Sequence, residues 1–437
     1  MPLKKTIVRT GKKVLGKKGY RELVRAKHLA NHYRLVRAAG FPAKGMKVIG
    51  VTGTNGKTTT CTYLYTILHQ AGYKAALYSS THFMIDGEYV HNDGEYGTTS
   101  ENIRPILRFY QKCKEKGVTH VVQETTSQAL HQWRLMGIEY DAGLITNLTY
   151  EHIDYHLTMK HYAKAKALLF KKPGLQLALF NRDDEWYNFF ANVRSGAQKS
   201  SYGTSEAADY RISHVKKSIK GTDFRLDYVN GSLHIHLNQL GDYNVYNAAA
   251  AASMALRYGI DPTHITAALS SITTLDGRLQ PIDRGQPFAV FADYAHTPDG
   301  IEQIGKTLRE VTKGKTILVQ SVFDGRDEHK WPMLGEAAAK HFDICIVTDE
   351  EASVRPTADM RNAIISGYKK MKYTQWHEIP NRGDAIKKAL SLAKAGDSVT
   401  IIPQGNLTSR TFYGKTFTWD DREVAAAALE AMGYTQR

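Results

Sequence analysis

The sequence predicts an α/β chain in two parts. A central domain with a mainly parallel sheet carries a P-loop, and a smaller Rossmann-like α/β domain follows it. Three observations predict this. Residues 47–60 read KVIGVTGTNGKTTT, where a β-branched run of Val48, Ile49 and Val51 gives way to a glycine turn and then a helix over 58–69. Apolar runs recur at 47–51, 75–78, 118–123, 142–146 and 176–180, with helical stretches between several of them, the rhythm of a parallel sheet covered on both faces. A second such rhythm starts at 288 with FAVFADY and continues through TILVQSV at 316–322, DICIVTD at 343–349 and SVTIIP at 398–403. A chain of 437 residues also exceeds what one ordinary core accommodates.

Residues 1–46 form a basic, helical N-terminal arm. Up to Lys47 the chain holds fourteen Lys and Arg against the single Glu22, so nearly all of the formal charge of +15 lies there. From Tyr20 the apolar positions Leu23, Val24, Leu29, Ala30, Tyr33, Val36 and Ala39 recur at helical spacing until Gly40 and Pro42 stop the helix. A helix with a cationic face suits an anionic membrane surface or a phosphate-bearing substrate; the plainer alternative packs it against the next domain. Nucleic acid is not expected, because no aromatic residue interleaves the first eighteen positions.

The central domain spans 47–275. Residues 208–238 read as short strands with Gly221 and Gly231 in turns, an antiparallel excursion, and a helix-rich segment follows from Asn244 to about Ser271. The C-terminal domain spans 276–437 and ends in a helix around 422–432. Cys61, Cys113 and Cys345 lie far apart, which excludes a disulfide framework or Cys-based zinc site and suits a reducing, cytoplasmic setting. No run of eighteen apolar residues exists, so no membrane span is expected. A monomer is expected.

The chemistry starts at the glycine turn. Gly53, Thr54, Asn55 and Gly56 present backbone N–H groups, and Lys57, Thr58 and Thr59 open a helix whose positive end faces a polyphosphate. Lys57 reaches the terminal phosphates, and the Thr58 hydroxyl suits Mg²⁺. Glu124, just past an apolar strand, is placed as a further Mg²⁺ ligand. His152 and His156 have the i, i+4 spacing of a zinc pair, but the H-E-x-x-H order is absent. Lys166 follows on a helix whose apolar face packs inward; by periodicity alone a surface lysine beside Lys164 is the simpler reading.

GVTGTNGKTTT, ETTSQAL, TNLTYEHIDYH, YAKAKALLF, GDYNVYNAAAA, LDGRLQPI and DYAHTPDGI stand in the order seen in Mur ligases. These are ATP-dependent amide-bond ligases of the peptidoglycan peptide stem. Over residues 47 to about 350 the chain most resembles the branch that adds the third residue, the UDP-N-acetylmuramoyl-dipeptide ligases. The resemblance implies that Lys57 and Thr58 hold the γ-phosphate and Mg²⁺, with Glu124 on the same ion and His152 on a second. Lys166 falls on the lysine that the family carbamylates with CO₂, which turns a cation into a carboxylate-like group near Mg²⁺. Asn244 and Asn247 match the segment on the adenine side of ATP. Arg278 and Asp293 match an interdomain pair that closes on ATP, and His296 lies in the same element. Thr98, Thr99, Ser127 and Arg134 match acceptor-side positions, and the small-molecule substrates implied are a muramoyl-peptide-like acceptor and an amino acid.

Three departures concern substrates. Only about 46 residues precede the P-loop, where the family carries a uridine-binding domain of about a hundred residues. The amino-acid-reading motifs are replaced by Asp349-Glu350-Glu351-Ala352 and by Pro403-Gln404-Gly405-Asn406-Leu407, while Arg326, Asp327 and Lys330 keep the family's pattern. Glu350 and Glu351 suit a basic amino acid or a solvated loop. Ser127-Gln128 and Thr98-Thr99-Ser100 also differ from the usual acceptor motifs. The alternatives are a ligase of this fold with a folate-polyglutamate-like, polypeptide or lipid-linked acceptor, or a nucleotide-binding protein with a degenerate acceptor site.

Overall fold

The structure is a computed structural model that describes residues 16, 19, 22, 23, 25, 26, 28–80, 83–90, 103–218, 221–324 and 328–435. The chain packs as two units. The first holds 1–213, 225–235 and 246–269; the second holds 214–224, 236–245 and 270–437. The division therefore falls near 270, and it cuts across the ribbon that follows residue 208.

The first unit is organised on β1 (Lys47–Thr52), β2 (Ala75–Tyr78), β5 (His120–Glu124), β6 (Tyr140–Ile145), β7 (Leu177–Asn181) and β8 (Gln198–Gly203). β1 lies between β5 and β6, parallel to both; β2 is parallel to β5, β7 to β6 and β8 to β7. Strands β3 (Phe83–Ile85) and β4 (Glu88–Tyr89) extend the β2 edge in antiparallel sense. At the other edge come β9 (Tyr210–Ser218), β10 (Gly221–Tyr228) and β11 (Gly231–Leu237). The two-residue link between β10 and β11 permits only antiparallel pairing, as the sequence predicts. Val48, Val121 and Ala178 enter one core layer with Tyr140, Leu169 and Phe170, because strands buried on both faces carry apolar residues throughout.

The first helices after the P-loop strand are α1 (Lys57–Gln70), α2 (Ile103–Glu115), α3 (Ser127–His131) and α4 (Ile153–His156). α5 (Met159–Lys166) and α6 (Tyr187–Ala191) follow, and then α7 (Asp242–Arg257). The helical stretch expected from 244 to 271 is broken after Arg257, where Gly259 takes φ +75°, and resumes as α8 (Pro262–Ser271). In the arm, residues 28–38 are helical. Val36 is fully buried against Ile103 and Leu107, and the His32 ring nitrogen lies 3.0 Å from the Trp133 carbonyl. Leu23, Leu29 and Tyr33 stay exposed at 57%, 43% and 53%.

In the second unit the sheet runs β12 (Gln280–Pro281), β13 (Ala289–Ala292), β17 (Ser398–Ile401), β14 (Thr316–Gln320), β15 (Ile344–Val347), β16 (Trp376–Glu378). All neighbours are parallel except β12 with β13. Helices α9 (Pro298–Val311), α10 (Trp331–His341) and α11 (Thr357–Lys370) contribute to a core on one face; α12 (Arg382–Leu392) and α13 (Asp421–Ala431) contribute to one on the other. This is a doubly wound α/β layer arrangement.

Candidate active site

Strand β1 leads directly into the turn Gly53–Gly56, which no L side chain fits at either end. Gly53 takes φ +146°, and a Cβ there would meet Thr146 Oγ1 at 1.9 Å; Gly56 takes φ +82°, and a Cβ there would meet Asn247 Oδ1 at 2.2 Å. The segment after β6 braces the turn. Asn147 Oδ1 accepts from Asn55 N at 2.9 Å, Thr146 Oγ1 donates to Asn55 O at 2.6 Å, and Thr54 N donates to Asn147 O at 2.9 Å. Thr54 Oγ1 accepts from Thr149 N at 3.0 Å and sits 3.2 Å from the Tyr162 hydroxyl. The result is a preformed backbone cradle at the positive end of α1.

Three parallel strands deliver side chains to this cradle from their carboxyl ends, where open α/β sheets bind ligands. Glu124, from β5, is 2% exposed. Its Oε2 accepts from Thr58 Oγ1 at 2.9 Å and from Ser80 N and Oγ at 3.0 and 3.1 Å, while Oε1 lies 4.0 Å from Lys57 Nζ. Lys57 Nζ donates to Thr54 O at 2.7 Å, and Thr59, one turn into α1, is buried. Lys166 is not the surface lysine that periodicity favours: it is 1% exposed, whereas Lys164 is exposed. Its Nζ donates to Gly53 O at 2.5 Å and lies 4.5 Å above the Tyr162 ring. Burial, and next the Lys57 charge, hold the Lys166 pKa well below the usual lysine value, although Glu124 and Glu151 oppose them.

His152 and His156 do not form a zinc pair. His152 caps α4 with φ +57°, whereas the His156 ring is fully buried, stacks on Tyr162 at 5.1 Å and places Nε2 2.9 Å from Ser127 Oγ. Among the described residues, no group of three or more His, Cys, Asp or Glu side chains is placed to hold a metal ion. A Mg²⁺ site needs no such group, because the Thr58 hydroxyl, the Glu124 carboxylate and phosphate oxygens are the hard donors that ion takes. The residues present therefore fit ATP and Mg²⁺: a cradle that only glycine permits, and oxygen donors beside it.

Asn247 borders the cradle, accepting from Thr60 Oγ1 at 3.3 Å. Asn244 lies one turn earlier on α7; its Nδ2 donates to Leu240 O at 2.8 Å, and its buried Oδ1 has no hydrogen-bond partner among the described residues. Arg134 donates to Gln132 Oε1. In the second unit, Asp293 is buried and accepts from Leu279 N at 2.6 Å and Ala295 N at 2.7 Å. Burial raises the pKa of that carboxyl, against the pull of Arg278 and the two N–H groups. Arg278 lies 5.5 Å from the Tyr294 ring, and His296 Nδ1 lies 2.8 Å from Tyr294 O. Thr98, Thr99, Arg326 and Asp327 lie outside the described residues.

Glu350 is in neither of the settings that the sequence suggests. It is 1% exposed, so it is not on a solvated loop, and its oxygens are taken by the chain's own groups. Oε2 accepts from Ser321 Oγ at 3.0 Å and lies 3.3 Å from the Arg382 guanidinium; Oε1 accepts from Gln404 Nε2 at 2.5 Å and Arg410 Nε at 3.1 Å. Arg382 also binds both Asp421 oxygens. Asp349 pairs with Arg361. Glu351 accepts from Thr411 N at 3.1 Å.

Residues 51–255 match the Mur ligase middle domain, and residues 277–405 match the Mur ligase glutamate ligase domain. The chain belongs to the Mur ligase family. A UDP-N-acetylmuramoyl-L-alanyl-D-glutamate–2,6-diaminopimelate ligase from Syntrophomonas wolfei is 37% identical over 403 residues, covering 92% of this chain and 80% of that protein. A solved structure of a ligase with the same title superposes with a TM-score of 0.64 at 28% identity, covering 90% of this chain and 80% of the other. A Mycobacterium tuberculosis folylpolyglutamate synthase with ADP and AMPPCP gives 0.70 at 19% identity, covering 92% and 95%, a likeness of fold. As a Mur ligase, the chain is an ATP-dependent carboxylate–amine ligase that forms ADP and phosphate. No helix among its described residues is long and apolar enough to cross a membrane.

Ser80 escaped the reading of the sequence, while Thr146, Asn147 and Tyr162 stand in the motifs TNLTYEHIDYH and YAKAKALLF but were given no role there. Ser80 follows β2, which lies beside β5 rather than β1, so its place next to Glu124 emerges only with the strand order.

Proposed function

We propose that this Mur ligase acts on a muramoyl-peptide acceptor in the manner of the third-residue-adding branch. The observation that carries the reading is the convergence of Lys57, Thr58, Glu124 and buried Lys166 on one glycine cradle. The acceptor carboxylate attacks the γ-phosphorus of ATP, giving an acyl phosphate and ADP, and the amino acid's amine then attacks the acyl carbon and releases phosphate. Lys57 and the cradle's N–H groups neutralise charge on the transferring phosphoryl oxygens. Mg²⁺, held by Thr58 and Glu124, with His152 proposed at a second ion, would supply further charge neutralisation.

Lys166 is proposed to react as a neutral amine with CO₂. The nitrogen bonds to carbon and sheds a proton, which leaves a carbamate. Its burial and lowered pKa favour the neutral amine that this step requires. Asn244 and Asn247 are proposed on the adenine side, Arg278 and Asp293 on the ATP-closing side, and Ser127 and Arg134 toward the acceptor. Asp349 and Glu350 are held by arginines of the chain, so diaminopimelate, the substrate in the relatives' names, is one candidate among several.

Phosphate release and product mass, measured with ATP, Mg²⁺, a UDP-muramoyl dipeptide and a panel of amino acids, test this reading. Release that requires both the acceptor and one amino acid supports it. ATP binding without acceptor-dependent turnover across the panel contradicts it.

The arm has its own reading. Leu23, Leu29 and Tyr33 stand exposed with Arg34 and Arg37, while Val36 faces inward. The exposed apolar and cationic side chains support the proposal that this helix meets an anionic membrane surface. Leu29→Ser/Tyr33→Ser should weaken flotation with phosphatidylglycerol vesicles, and unchanged flotation would remove the reading.

A further inference from the structure

We propose that the first unit carries a second anion site: a cleft in which Lys171, Lys172 and Arg194 bind a small phosphate-bearing ligand. The cleft holds about 620 Å³, within the range of small-molecule sites. It is lined by residues 170–175, which precede β7, and by residues 191–196 and 199, at the start of β8. Since β7 and β8 run parallel to β6, and β6 to β1, these residues lie at the amino-terminal ends of the strands. The ATP cradle leaves β1 at its carboxyl end, so the two sites occupy opposite edges of one sheet.

Charge decides what the cleft takes. Four of its lining residues are Lys or Arg, and none is Asp or Glu. Lys199 is committed, donating to Ala191 O at 2.6 Å and Val193 O at 2.8 Å. Lys171 and Arg194 are exposed and have no carboxylate partner among the described residues. Lys172 is half-buried, with the Tyr140 ring 5.9 Å from its ammonium, and burial lowers its pKa. A bound anion would restore what desolvation takes from that ammonium. Side chains built on Gly174 and Gly196 would meet nothing within 4 Å, so the turns on either side leave room for a ligand to approach. Two ammonium groups and a guanidinium fork, with no competing carboxylate, match the several oxygens of a phosphate or diphosphate rather than a lone carboxylate.

Calorimetric titration of pyrophosphate into the full chain, without magnesium, separates this cleft from the cradle. The variants are Lys57→Ala for the cradle, and Lys171→Gln/Arg194→Gln and Lys171→Glu/Arg194→Glu for the cleft, each checked by its melting temperature. Lys57→Ala protein should still bind pyrophosphate, with an affinity that falls as salt rises. Adding the cleft substitutions to Lys57→Ala should weaken that binding by about tenfold or more, with the Glu pair below the Gln pair. Loss of all pyrophosphate binding in Lys57→Ala, or binding unchanged by either cleft pair, would overturn the proposal. The result does not depend on which acceptor the ligase uses.

Discussion

Gly53 and Lys166 meet at a single atom, the Gly53 carbonyl, and each is intolerant for its own reason. At Gly53 an added methyl group would sit 1.9 Å from Thr146 Oγ1 in a backbone conformation that L residues avoid. Strain of that kind costs about 1–3 kcal/mol before the clash is counted. Gly53→Ala should therefore lower the melting temperature and weaken ATP binding by about tenfold or more, as isothermal titration would show. For Lys166 the sign of the pH effect follows from its lowered pKa. Between that native value and the unfolded value of about 10.4, the unfolded chain binds more protons than the native one, so native stability rises with pH. Lys166→Met should flatten the urea-denaturation stability profile across that window. Lys166→Ala should abolish turnover with ATP binding retained, and activity that survives would remove the carbamate.

The central strands were legible because each is a short apolar run, and burial on both faces leaves no polar alternation to confuse the pattern, whereas β8, which reads QKSSYG, gave no such run. The glycine turn and Lys57-Thr58 were legible for a similar reason, since their order along the chain is itself the structure. Partners far apart in sequence were not. Ser80 reaches Glu124 across 44 positions and Asn147 reaches Asn55 across 92, distances at which no periodicity operates. Glu350 was misread because a charged pair in a loop looks solvated until the fold brings Arg382 and Arg410 to it. These groups gather at the carboxyl ends of β14, β15 and β17, with Arg382 and Glu350 side chains fully buried. Removing one member of such a network strands the rest. Arg382→Met should cost about 3–5 kcal/mol in urea denaturation. A loss below about 1 kcal/mol would show that the arginine contributes little beyond its packing.

Across the whole molecule, the two matched Mur ligase domains, the doubly wound second unit and the P-loop sheet agree on one class of chemistry. The features that carry it, the cradle and Glu124, come from the carboxyl ends of neighbouring strands in the first unit. The second unit departs most from the family at Asp349 and Glu350, where a sequence-level comparison expects contact with the incoming amino acid and the structure shows internal ion pairs. Substrate choice is therefore where this ligase should differ from its relatives, while the activation step should be shared. That step can be followed by one label. When the acceptor carboxylate carries oxygen-18, transfer of the γ-phosphoryl group to that carboxylate moves one labelled oxygen into the phosphate released on amide formation. Mass spectrometry of the phosphate should find that label. Turnover that yields product with unlabelled phosphate would contradict activation of the acid by ATP at this cradle.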